Sequence, residues 1–178
     1  FTRLNFRQGS SMTTTLLPAS LPVRNAAPVI SFDHARELAA EFCTPLLAVS
    51  RSKLQTVYRE MKSALPNVDL FYAAKANSDV GILRTLFLEG AFVDVCSYRE
   101  MQSALLAGFQ PDQMIHTHPC KSGDNIQSCC REGLRWFTFD CEAEIEKLRR
   151  NAPGTKALLR LRADSQSSLI NLSAKFGC

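Results

Sequence analysis

A chain of 178 residues, 46% hydrophobic and 21% charged, is long enough to bury a full core and has the balance of an ordinary globular polypeptide. Its net charge of +4 comes from basic residues interleaved with Glu and Asp, which excludes the clustered basic face that nucleic acid or a membrane surface requires. No apolar run approaches the ~20 residues of a membrane span, and seven cysteines, an odd number without a C-x-x-C pair, point to reduced thiols in a cytoplasmic protein rather than disulfides or a zinc site.

The first 32 residues contain no Asp or Glu, carry Arg3, Arg7 and Arg24, and are rich in Ser and Thr. That is the composition of a transit peptide, or of a stretch upstream of a start at Met12. Residues 1–27 are therefore expected to be a disordered or non-native leader. Apolar spacing then predicts a helix over 33–43, with Leu38, Ala39, Phe42 and Cys43 on one face. Thr44-Pro45 breaks it, 46–50 is a short strand candidate, and a helix from about 53 to 64 runs to Pro66-Asn67.

A strict repeat follows. Leu70, Phe92, Met114, Trp136 and Leu158 lie 22 residues apart, and each opens an apolar, strand-like run. Helical segments fall between them, over 81–89, 99–107, 124–132 and 142–150, and Gly90, Gly108 and Gly133 stand where three of these should stop. Strands alternating with helices at this spacing predict about five βα units and a parallel sheet.

Stacking the strands by the repeat sorts their side chains. One face collects Tyr72, Asp94, His116, Thr138 and Arg160, then Ala74, Cys96, His118, Asp140 and Arg162; the other collects Phe71, Val93, Ile115, Phe137 and Leu159, then Ala73, Val95, Thr117, Phe139 and Leu161. A sheet covered by helices on both sides should be apolar on both. A polar face set against an apolar one instead predicts part of a (β/α)8 TIM barrel, with helices outside and polar groups toward the catalytic end. Five units do not close eight strands, so the chain is expected to be the amino-terminal part of a longer barrel.

Lys75 closes the first of these runs, behind the apolar Phe71-Tyr-Ala-Ala74, which predicts a poorly solvated amine at the end of the barrel where catalytic groups gather. A lysine at a strand end that simply reaches water is the plain alternative. The segment Tyr72-Ala-Ala-Lys75-Ala-Asn77, with Ile82-Leu83, Leu86 and Gly90, resembles the cofactor-attachment motif of the pyridoxal-phosphate (PLP) ornithine/diaminopimelate/arginine decarboxylase family. The resemblance continues through Asp94-Val-Cys-Ser97 with Glu100, His118-Pro-Cys-Lys121, Phe139-Asp140, Leu159-Arg160-Leu161 and Leu172-Ser-Ala-Lys-Phe-Gly177, in order over roughly 32–178. Pro119-Cys-Lys121 and the run ending at Gly177 look like the ornithine branch; His118 departs from the family pattern, standing where the family usually carries Asn.

The resemblance implies an α/β fold in which the strand at 46–50 and its helix belong to a second β-domain, with 28–68 leading into a PLP-binding barrel over 69–178. It implies Lys75 as the catalytic, cofactor-holding lysine, with Asp94, Arg160 and Glu100 beside the cofactor. Asp94 and Arg160 also fall on the polar inner face, where an ion pair between strands is the structural alternative; for Glu100 a surface helical residue is. The family's lysine points into the barrel, whereas 22-residue phasing puts Lys75 on the apolar set, so the first strand is expected to slip by one residue and bring Phe71 and Ala73 inward. His116 and His118 share a face as two ligands might, but no third has metal-site spacing and the family uses no catalytic metal. Cys120 reads as a packed thiol at the mouth of the site.

The activity implied is decarboxylation of an amino-acid substrate: ornithine or lysine, feeding polyamine synthesis, with diaminopimelate decarboxylase, an inactive antizyme-inhibitor-like binding protein and a single-domain PLP-binding barrel as alternatives. The family resemblance implies a homodimer at full length. It also places further site residues beyond Cys178, so the polypeptide alone is expected to be inactive and aggregation-prone through unpaired strand edges.

Overall fold

A computed structural model describes residues 30–162 and 176–178. The leader expected over 1–27, and Leu172–Lys175 of the final motif, lie outside the described residues. Two helices lead, α1 (Phe32–Phe42) and α2 (Arg51–Ala64), and five βα-type strands follow: β1 (Phe71–Ala73), β2 (Phe92–Val95), β3 (Met114–His116), β4 (Trp136–Phe139) and β5 (Lys156–Leu159). Between them run α3 (Val80–Leu88), α4 (Tyr98–Ala107), α5 (Gly123–Arg131) and α6 (Glu142–Asn151). Each helix from the repeat lies within a residue or so of its expected bounds. No helix among the described residues is long and apolar enough to cross a membrane.

Local chemistry explains the boundaries. Ser31, Ser50, Asp79, Ser97 and Ser122 each cap a helix by accepting a backbone N–H in its first turn. Gly108 ends α4 at φ +111°, and a Cβ there would sit 3.0 Å from the Phe87 ring, so both the backbone and the space demand glycine.

The strands form one parallel sheet in sequential order, β1-β2-β3-β4-β5. Val93, Val95, Met114 and Phe137 point from one side of it into a core shared with Leu83 of α3, Met101 and Ala104 of α4, Ile126 of α5 and Leu148 of α6, all at most 3% exposed. Burying each such side chain contributes about 1.5–3 kcal/mol before the entropy of ordering it. Sequential strands with their helices on a single side are the barrel arrangement, not the doubly wound one. The backbone extends this order: Cys178 N–H donates to the Arg160 carbonyl and Arg162 N–H to the Cys178 carbonyl, a parallel bridge on the free edge of β5.

Two expectations change. The strand at 46–50 is not formed: the segment has no ladder, and Leu47 is 78% exposed, because no strand among the described residues lies beside it to take its backbone groups. The faces also change. The slip expected for β1 is present, Ala73 pairing with Asp94, but the same one-residue offset recurs where Val95 pairs with His116 and His116 with Phe137. Tyr72 and His116 therefore turn to the helices, while Ile115 and Thr117 turn to the open face with Asp94. His116 is fully buried, stacked 5.8 Å from Phe137, with Nε2 3.2 Å from Asn125 Oδ1. It does not share a face with His118 as a ligand pair would.

Candidate functional site

The open face of the sheet carries its polar groups at the carboxyl ends of the strands. β1 ends at Ala73, and the chain turns at once into a 3-10 turn, Ala74–Ala76, that presents Lys75. Ala74 anchors the turn at 1% exposure, and the Tyr72 hydroxyl, reaching round from the helix side, donates to the Asn77 carbonyl at 3.0 Å. Lys75 thus stands one turn beyond the strand rather than as its last residue, and it is exposed rather than poorly solvated. The reason is that Phe71 and Ala73 point to a sheet face that no helix covers.

Asp94 lies across from Ala73 on that face, and its carboxylate is held firmly. The Thr117 hydroxyl donates to it, 2.7 Å from each oxygen, and the Thr117 N–H donates to Oδ1 at 3.3 Å. Burial raises the Asp94 pKa above the usual carboxylate range; Thr117 and the positive charge of Lys75 pull it back, and Glu100 pushes it up. Cys96, two residues on, has its thiol pKa raised by burial and by the charges of Asp94 and Glu100.

Glu100 enters from the first turn of α4, where its Oε2 accepts the Cys96 N–H at 2.7 Å while its own N–H is capped by Ser97 at 3.2 Å. That is a capping-box exchange displaced by one residue. Glu100 is therefore both a structural cap and a charge facing the cluster, not the plain surface glutamate that its position would allow.

Arg160 is at the same mouth but in a second group. Its N–H continues the ladder to the Phe139 carbonyl at 2.8 Å, and its guanidinium lies 5.0 Å from the centre of the Phe176 ring. His118 meets the same ring edge-on at 5.9 Å, and Asp140 accepts the Gly177 N–H at 3.1 Å. Gly177, at φ +105°, admits no side chain: a Cβ would lie 2.8 Å from the Arg162 nitrogen. The structure thus brings Lys75, Asp94 and Glu100 together and sets Arg160 apart with His118 and Phe176. Sequence reasoning missed Thr117, because uniform phasing placed it on the apolar face; only the slip of β3 exposes it. Among the described residues, no three His, Cys, Asp or Glu side chains converge as metal ligands.

Known proteins place this arrangement. The family model for the pyridoxal-dependent decarboxylase, pyridoxal binding domain, matches residues 51–178. The chain is 34% identical over 148 residues to the lysine/ornithine decarboxylase of Selenomonas ruminantium, which covers 83% of this chain and 38% of that protein. It is 37% identical over 114 residues to antizyme inhibitor 2 of Xenopus laevis, covering 64% and 25%. A solved lysine decarboxylase from Selenomonas ruminantium superposes with a TM-score of 0.76 at 34% identity, over 83% of this chain and 39% of that one. The chain spans well under half the length of these relatives. A parallel, singly wound sheet with a lysine at its carboxyl mouth, matched over 51–178 by that family model, makes the chain a member of the pyridoxal-dependent decarboxylase family.

Proposed function

We propose that the protein to which this chain belongs is a PLP-dependent decarboxylase of a basic amino acid, with L-ornithine converted to putrescine for polyamine synthesis. Lys75 is its cofactor-holding lysine, and Asp94, Glu100 and Arg160 serve the same site. The observation that carries this reading is the placing of an accessible Lys75 amine beside the Thr117-held Asp94 carboxylate at the carboxyl ends of parallel strands. The donor set suits the cofactor: one reachable amine, fixed carboxylates near it, and an arginine on the same open face.

When bound, PLP supplies an electron sink for the pair left behind as the substrate α-carboxylate departs as carbon dioxide. The chain's own residues do the rest. Lys75 Nζ is the atom that would hold the cofactor through its aldehyde carbon, and from the same place it could pass a proton to the substrate carbon. Thr117 keeps Asp94 in one orientation, so that its charge acts on the Lys75 side of the site. Glu100, clamped by the Cys96 N–H, adds a second fixed negative charge.

Carbon dioxide release by the full-length protein with PLP, from L-ornithine, L-lysine, L-arginine and meso-diaminopimelate, tests the assignment. We expect ornithine to lead lysine by roughly tenfold or more in kcat/KM, the discrimination that one methylene allows. Preference for diaminopimelate would move the protein to lysine synthesis. The likeness to antizyme inhibitor 2 supports a second reading, an inactive relative that binds a regulator; no carbon dioxide from any of the four by a folded, PLP-supplied protein would select it. We further place the protein in the cytoplasm as a homodimer. Seven free thiols accord with a reducing compartment, and light scattering on the full-length protein checks the dimer.

A further inference from the structure

The loop that leaves β3 is organised around a buried cation the reaction itself does not call for. The Lys121 side chain is 1% exposed, and its Nζ donates to the carbonyls of His118 at 3.0 Å, Pro119 at 3.0 Å and Thr138 at 2.5 Å. An ammonium has three protons, and these three carbonyls take them all. Glu144 Oε2, buried and 3.2 Å away, supplies the opposite charge. Its other oxygen pairs with Lys147, whose Nζ also donates to the Lys121 carbonyl at 2.6 Å. One cation thereby joins the loop after β3, the end of β4 and the first turn of α6.

Stability alone is a poor reason for this arrangement. Burial works against the ammonium and lowers the Lys121 pKa, with Glu144 only partly restoring it. An apolar side chain of the same length would fill the space without that desolvation cost. What the ammonium does that an apolar group cannot is to turn two successive carbonyls, of His118 and Pro119, toward one point. The turn so defined begins at Thr117, the residue that holds Asp94, and it carries His118 to the Phe176 ring and its Nδ1 to the Cys120 N–H at 3.1 Å.

We propose that Lys121 is a positioning residue of the site: by gathering the carbonyls of His118, Pro119 and Thr138 onto one buried ammonium, it sets the turn on which Thr117 meets Asp94 and His118 meets Phe176. The link to turnover rests on the functional reading above; the link to the turn does not.

The test uses the full-length, PLP-loaded protein carrying Lys121→Met, and the double variant Lys121→Met/Glu144→Gln, which removes the carboxylate charge that the single variant leaves short of a partner. We expect the double variant to regain most of the melting temperature lost by the single one. The Thr117, His118 and Cys120 amides should still exchange hydrogen about tenfold faster than in the parent, with α3 and α4 unchanged. Its kcat should stay about tenfold low while the KM for the amino acid moves by less than about twofold, as expected for a misplaced group rather than a lost binding contact. Lys121→Arg should not rescue it, since a planar guanidinium cannot aim at three carbonyls converging on one atom. Parental exchange at those amides, or parental kcat in the double variant, overturns the proposal. Because exchange is read without turnover, a parent protein that decarboxylates nothing sinks the functional reading while exchange still decides the role of Lys121 in the turn.

Discussion

Thr117 governs how much charge Asp94 can carry. Burial favours the neutral acid, and the hydroxyl and N–H of Thr117 oppose it by bonding the ionised form. Replacing Thr117 with Val deletes the hydroxyl bond and lets the Asp94 pKa rise further, so the carboxylate forms only at higher pH. The acid limb of kcat/KM should therefore move to higher pH in Thr117→Val and stay in place in Thr117→Ser. At neutral pH the Val variant should lose about tenfold, the effect of one hydrogen bond to a charged group. A pH–rate profile of the three proteins checks it, and an unmoved acid limb would remove Asp94 from the working site. At this scale the sequence pointed to Lys75, Asp94 and Glu100 through motif resemblance and left Thr117 hidden. Nothing in its local context separates an inward threonine from an outward one; the distinction comes from how neighbouring strands slide.

The elements themselves were far more legible. A 22-residue spacing of strand openers, helical segments between them and glycine after three of these located the βα units. Register was not legible, because the length of a unit and the offset of its ladder are set by different things: turn and helix length for the one, backbone pairing for the other. The cost of reading one from the other falls on β3, where His116 was assigned to the wrong face. The segment 46–50 forms no strand among the described residues for a related reason, since a short apolar stretch becomes a strand only if a partner ladder lies beside it. The true place of His116 has a measurable consequence. Burial and the nearby Lys121 charge lower its pKa from 6.5 to about 4. The native chain then binds fewer protons than the unfolded one in that interval, so the contribution is fully present above pH 6.5 and is lost as pH falls toward 4. Between pH 7 and pH 5 this one group should cost about 2 kcal/mol of stability. Urea unfolding of the full-length protein at both values should show His116→Gln losing correspondingly less than the parent. Equal losses would place the imidazole in water.

At the scale of the whole molecule, the sheet has one face sealed by four helices except at β5, where Leu159, paired with Phe139, stays 48% exposed, and another face left open. A (β/α)8 barrel hides that face by closing on itself, and the relatives matched are more than twice as long as the stretch they share with this chain. Expressed by itself, the 178-residue chain should associate through its open face and strand edges and show no decarboxylation, whereas the full-length protein should not associate in this way. Size-exclusion chromatography of both forms checks this; a monomeric, active 178-residue chain would contradict it. The polar mouth, the Lys121 anchor and the Lys75 turn all lie at the same end of that sheet, which ties the fold to the chemistry proposed for it.

Reductive trapping of the cofactor examines that tie most directly. Full-length protein incubated with PLP, treated with borohydride and digested should yield one labelled peptide, with the pyridoxyl group on the ε-amine of Lys75, and Lys75→Ala should yield none. A label on another lysine, or equal labelling in the Ala variant, would contradict the account.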